Sequence, residues 1–250
     1  MDMFRNPKLA AAVYACQQEK EPVLEISSSM DIGEHPGCNR GTIWIFTNAD
    51  SVRMYKNDRF LKEYTASDSP YKNLSHGPIA VDDFIGDAIE KEKDFKPEQA
   101  RKVKYILNAA ARYGLSDLPK GVYLAALKLI LMYHMKPTDA VALYNRYIGD
   151  WGGTSTSYRF EAVKNGKVVK VVRKEPVTSM HLSAEPDHQN LTERHTYEAA
   201  EIRIRALDQN DNIVSFYQEP VVLSTEGPIA IIGPEIISLQ GGMGGTYVRT

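Results

Sequence analysis

The stretch at residues 42–62, TIWIFTNADSVRMYKNDRFLK, constrains what this chain can fold into more than any other. Ile43, Trp44, Ile45 and Phe46 make a short, wholly apolar strand of the kind expected where both faces are covered. Thr47, Asn48, Ala49, Asp50 and Ser51 supply turn formers, because Asn and Asp side chains satisfy nearby backbone groups. Val52 and Met54 then alternate with polar residues into Lys56, Asn57, Asp58, Arg59 and Phe60, which read as a strand running into a hairpin tip. Two strands joined by a polar turn and followed by a second tight turn make a β framework, with no catalytic constellation beside it.

A chain of 250 residues accommodates two modest domains, or one large domain with an insertion. Thirty basic against thirty-two acidic side chains leave a formal charge of −2. That balance gives no support for a nucleic-acid or anionic-membrane partner, which would need a clustered basic face. No apolar run approaches the roughly 20 residues of a membrane span. The N-terminus lacks the basic region and apolar core of a signal peptide, which favours a cytoplasmic location. Cys16 and Cys38 lie in no metal-type spacing, and two free thiols are preferred over a disulfide between them.

Asn6 and Pro7 open a helix predicted to run to about residue 18, with Asn6 at the N-cap and Leu9, Val13 and Cys16 on one face. A short strand at 23–26 and a loop at 31–40 precede the Trp44 strand. From about residue 67 the chain becomes irregular and then helical. One helix starts at Pro97 and stops at Gly114, with Ala100, Val103, Leu107, Ala110 and Ala111 at helical spacing. A second, at 118–135, is apolar nearly all round and is expected at the centre of a small helical cluster. A third, at 138–148, carries Val141, Tyr144 and Ile148 on one face. Strands return at 157–163 and 167–172 around the Asn165-Gly166 turn, then at 180–184, 199–206, 213–217, 221–224 and 229–232.

Several of these pieces resemble family 2 glycoside hydrolases, the β-galactosidase and β-glucuronidase group. DMFRNPKLAAAVYACQ is similar to the "DmfR.PK" opening of that family's last barrel helix. TNADSVRMYKND resembles its post-barrel "TNaDsVelylNg" pattern. WGGTSTSYRFEAVKNGKVVK resembles the return hairpin of the same sandwich, and EGPIAIIGPEIISLQGGMGGTYVRT a closing immunoglobulin-like domain. The resemblance implies a mainly β fold with an α insertion: tandem Ig-like β-sandwiches, the first interrupted by a small helical cluster. Residues 1–19 are then a remnant of the last barrel helix. Residues 20–176 form the first sandwich with its insertion at about 67–150, and residues 177–250 the second. Both ends of the chain read as fragment boundaries, and the helical insertion has no counterpart in the better-known members.

Retaining glycosidases need two carboxylates about 5–5.5 Å apart on either side of one sugar. The resemblance places both on barrel strands upstream of Met1, so no catalytic residue is assigned here. Asp82 and Asp83 are neighbours in sequence and read as a solvated loop or cap; Glu193 and Glu198 read as surface charges. Asp187, His188 and His195 fit no common ligand spacing, so no metal or other cofactor is expected. Gly241, Gly242, Gly244 and Gly245 lack the following helix and Lys-Ser/Thr of a phosphate loop and read as turn formers. Trp151, in a Gly-Asp-Trp-Gly run, is one candidate for carbohydrate contact, although packing the insertion onto the sandwich is the preferred role. His76, before Gly77-Pro78, is the other. Trp44 reads as core or domain interface.

The reading is a non-catalytic C-terminal accessory region of a family 2 glycoside hydrolase, its parent hydrolysing β-glycosides. The expected partners are that parent's own barrel, carbohydrate, and a second copy in a homo-oligomer, with no nucleic acid and no membrane. A carbohydrate-binding module would instead show a row of exposed aromatics on one sandwich face. An adhesion array would need a secretion signal and Thr/Pro-rich linkers.

Overall fold

The computed structural model describes residues 4–30, 39–92, 94–149 and 155–250. They divide into two compact units, one at 12–176 and the other joining the N-terminal residues to 177–250. Every strand pairing within them is antiparallel. Both units are mainly β, with a small helical cluster in the first.

In the unit at 12–176, β1 (Leu24–Ile26), β2 (Trp44–Thr47) and β5 (Ile79–Ala80) form one sheet, in the order β1-β2-β5. β3 (Ser51–Lys56), β4 (Arg59–Thr65), β6 (Tyr158–Lys164) and β7 (Lys167–Lys174) form the other, in the order β4-β3-β6-β7. The alternation at 51–56 does what period-2 patterning requires: Val52 and Met54 are fully buried, while Arg53 and Tyr55 lie partly in solvent. At the hairpin tip Asn57 and Asp58 both adopt positive φ, 47° and 60°, the backbone a two-residue primed turn demands. Leu24, Ile26 and Ile45 of one sheet share a single buried cluster with Val52, Met54, Tyr64, Tyr158 and Phe160 of the other. The two sheets are therefore the halves of one sandwich.

The helices lie between β5 and β6 in sequence and join the same cluster. α2 (Pro97–Tyr113) starts with Pro at its first position and ends at Gly114, whose φ is 71°. It buries Ala100, Val103, Leu107, Ala110 and Ala111, the stripe its spacing predicts. α3 (Lys120–Tyr133) departs from expectation. Only Val122 and Leu129 are buried on it, so it is a surface helix with one covered face rather than the centre of the cluster. Leu129 joins the shared core through α2, while six of its large side chains, from Tyr123 to Met132, are exposed. α4 (Pro137–Tyr147) likewise turns Leu143 and Tyr144 inward but leaves Val141 62% exposed.

In the other unit, β8 (Met180–Pro186), β9 (Ala199–Asp208), β11 (Ala230–Ile232) and β13 (Met243–Arg249) make a sheet ordered β11-β13-β9-β8. β10 (Pro220–Val222) pairs with β12 (Ile236–Ser238) in a second sheet. Ile204, Ala206, Val214, Val221 and Leu239 form the core between them. Three expectations are corrected here. Residues 213–217 are a turn, with only a single bridge from Ile213 to Leu207. The strand at Ile236–Ser238 was not anticipated. The glycine-rich run is only partly a turn, for Gly244 and Gly245 lie inside β13.

A side chain at Gly245 would meet the Phe4 ring at 2.6 Å and the Ile202 carbonyl oxygen at 2.8 Å, so close packing selects glycine there. The N-terminal helix is also shorter than predicted: α1 covers Ala10–Ala15. Asn6 is not its cap. Its amide donates to the Gly244 carbonyl at 3.3 Å, while Arg5 pairs with Glu201 at 3.6 Å.

Candidate functional site

Trp151, with residues 150–154, lies outside the described residues, but the backbone on both sides of it is described and firmly held. On the N-terminal side, the Lys56 ammonium at the end of β3 donates to the carbonyls of Tyr147 (2.5 Å) and Ile148 (3.0 Å). Arg40 donates to the same Ile148 carbonyl at 2.8 Å, and also to Met30. Two cations thus meet the carbonyl end of α4, where the helix macrodipole favours positive charge. Arg40 is 7% exposed, and its guanidinium lies 4.9 Å from the centroid of the Tyr158 ring. On the C-terminal side, the Asn57 carboxamide oxygen accepts from the Ser157 N–H at 2.9 Å. The Asn57 N–H donates back to the Ser157 carbonyl at 2.9 Å. One hairpin tip therefore grips the chain at Ile148 and again at Ser157.

Electrostatics follow from that burial. Desolvation first, and the neighbouring Arg40 second, bring the Lys56 ammonium from 10.5 down to about 8. Burial raises the Tyr158 phenol to about 12, against the opposing influence of Arg40. Neither group makes a nucleophile–base pair with another side chain here. The cluster's chemistry is positional: it fixes the described backbone at Tyr147, Ile148 and Ser157, on either side of residues 150–154.

His76 lies in the loop before β5 and belongs to a different constellation. Its Nε2 is 2.7 Å from Glu19 Oε1, and the other carboxylate oxygen of Glu19 pairs with Lys164. The Gln17 amide donates to the His76 carbonyl at 2.9 Å. Hydrogen bonding from Lys164, then from His76, holds the Glu19 carboxyl below its usual range. These contacts tether the segment after α1 to the loop before β5 and to the end of β6. The His76 side chain is 19% exposed.

The acidic candidates are drawn into different jobs. Asp82 pairs with Lys62 at 2.8 Å on the surface. Asp83 is buried; its Oδ1 accepts from the N–H groups of Ile85 and Gly86 at 3.0 Å and from Asn108 at 3.1 Å. Its Oδ2 pairs with Lys104 at 2.7 Å, joining the loop to α2. Glu198 accepts from the Thr192 N–H at 2.6 Å, and Asp187 pairs with His188 at 2.7 Å. Among the described residues no three His, Cys, Asp or Glu side chains converge as a metal site would require. Trp44 is half-buried against Tyr71, ring centroids 5.9 Å apart. Cys16 is a buried free thiol, and Cys38 lies outside the described residues.

Arg40, Lys56 and Asn57 were missed as a group. The Lys-Asn-Asp turn was legible, but nothing local shows that it reaches residues 91 to 100 positions away, or that Arg40 reaches one 108 positions away.

No family model matches the chain. A stretch of 109 residues is 36% identical to a β-galactosidase of Rhizobium radiobacter, covering 40% of this chain and 73% of that protein. The chain belongs to glycoside hydrolase family 2. Across 247 residues it is 25% identical to a β-galactosidase of Thermoanaerobacterium thermosulfurigenes, spanning 97% of this chain but only 26% of that relative. In fold it is similar to a β-glycosidase from Bacteroides vulgatus, with a TM-score of 0.53 at 13% identity, over 99% of this chain and 24% of that one. A β-glucuronidase from glycoside hydrolase family 2 aligns with a TM-score of 0.50 at 12% identity, over 98% of this chain and 19% of that one. This family 2 chain thus corresponds to part of those proteins.

Proposed function

We propose that this chain is a non-catalytic accessory region of a family 2 glycoside hydrolase, one whose parent cleaves β-galactosides and whose barrel it supports. The observation that carries the reading is how the conspicuous carboxylates are spent. Asp82 faces Lys62 at the surface, whereas Asp83 turns inward to two backbone N–H groups and Lys104. Two acids committed to different partners do not make an acid/nucleophile pair flanking one sugar. The β-galactoside class follows from the names of the two bacterial relatives.

Within this role, Trp151 offers an aromatic face to carbohydrate, its flanking backbone held by Lys56, Arg40 and Asn57. His76 is the second contact, through the part of its ring not turned onto Glu19. Purified chain should hydrolyse chromogenic β-galactosides and β-glucuronides at the buffer rate. Turnover that disappears in Asp82→Asn or Asp83→Asn overturns the reading. In a calorimetric titration with β-galacto-oligosaccharides, Trp151→Ala should abolish the binding heat while leaving the melting temperature in place. A large fall in melting temperature would instead assign Trp151 to packing.

A further inference from the structure

α3 carries a stripe that the fold leaves uncovered. Tyr123, Leu124, Leu127, Ile130 and Leu131 fall within about 120° of arc at 100° per residue. Their exposures run from 47% to 65%. The opposite side of the same helix, through Val122 and Leu129, faces the core. Five large apolar side chains on one face of a 14-residue helix make a contiguous patch rather than scattered surface residues.

Two further features say what covers it. Lys120 and Lys128 are the only charged residues on α3, its first turn holds no acid, and its last turn holds no base. Lys120 therefore stands at the positive end of its own helix dipole, where a cation is unfavourable. An antiparallel copy of α3 removes the conflict, because it brings the negative, carbonyl end of the second helix to Lys120. A two-fold axis does this at both ends at once. The second feature is size. The five side chains of the stripe offer on the order of 500 Å² per protomer, so a two-fold pair reaches the roughly 1,000 Å² in total that a specific interface must clear. A net charge of −2 opposes such pairing only weakly.

We propose that this stripe is a homodimer interface, in which α3 packs antiparallel against the α3 of a second copy about a two-fold axis beside Leu127. Leu127 is the middle of the stripe, so it meets its own symmetry mate. Tyr123 lies four residues away, about 6 Å along the helix, so in an antiparallel pair its two copies stand about 12 Å apart along the axis.

Sedimentation velocity and cysteine cross-linking of the full chain test this independently of any glycoside chemistry. The wild-type chain should sediment at twice its 28.0 kDa mass. Leu127→Glu, which buries two carboxylates at the axis, should weaken association by more than about a hundredfold. Circular dichroism should be unchanged, since Leu127 is already 51% exposed. In a background with Cys16 and Cys38 replaced by serine, Leu127→Cys should oxidise to a disulfide dimer and Tyr123→Cys should not. A monomeric wild-type chain, which would leave the face to some other partner, overturns the proposal. So does a dimer that persists in Leu127→Glu, or cross-linking at Tyr123→Cys but not at Leu127→Cys.

Discussion

Asp82 and Asp83 show how neighbouring residues of one chemical type take separate roles. The Asp82–Lys62 pair is solvent-facing, and exposed pairs of this kind contribute about 0–1 kcal/mol. Asp83 satisfies two backbone N–H groups and pairs with Lys104 in a largely buried site. Asp83→Ala should therefore cost about 2–4 kcal/mol in urea unfolding and Asp82→Ala less than about 1 kcal/mol. Equal costs would refute the assigned roles. Lys56 makes a pH-dependent prediction. Its ammonium titrates near pH 8 in the folded chain and near 10.5 when unfolded. Below pH 8 both states hold the proton, and the burial penalty is fully present. Between pH 8 and 10.5 the unfolded chain binds more protons, so stability rises with pH. The rise approaches about 1.4 kcal/mol per pH unit. It should vanish in Lys56→Met when urea unfolding is followed from pH 7.5 to 9.5. Parallel pH profiles for the two proteins would exclude Lys56 as the source.

Among the elements, the hairpins were legible because their instructions are local. Alternation plus Asn-Asp or Asn-Gly tips fixes strand, turn and register within a dozen residues. α2 was legible for the same reason, its Pro start, apolar stripe and Gly stop all lying inside it. β13 was not: its Gly245 is chosen by the approach of Phe4 from the far end of the chain, and no neighbouring residue records that. α3 misled because apolar residues on every side specify no inward face. Its orientation is decided by its packing against α2, which goes with burial of Val122 and Leu129. The grip of Arg40, Lys56 and Asn57 on the flanks of Trp151 was equally hidden, being built from partners about a hundred positions apart. Since α2 and the sandwich share one buried cluster, they should unfold together. Leu107→Ala should cost about 2–5 kcal/mol and accelerate amide exchange in α2 and β3 alike. Exchange confined to the helices would mean that they fold on their own. In the other unit, Gly245→Val should lose about 1–3 kcal/mol through the clash with Phe4 and the Ile202 carbonyl. Unchanged thermal unfolding of that variant would contradict the close packing.

Taken as one chain, the architecture is made by long-range antiparallel pairing. β3 meets β6 across the whole helical segment, with Ser51 opposite Val163, and the N-terminal residues fold with the unit at 177–250. Its two mainly β units give a scaffold in which the adjacent acids Asp82 and Asp83 are committed to separate partners. That is the observation behind the proposed supporting role beside a barrel. A retaining glycosidase forms a covalent glycosyl-enzyme on a carboxylate, which a 2-deoxy-2-fluoro β-galactoside bearing an activated leaving group traps. Intact-mass spectrometry of the purified chain after such treatment reads this without depending on turnover. The account predicts a mass unchanged at 28.0 kDa. A stoichiometric glycosyl adduct mapped to any Asp or Glu of this chain would contradict it.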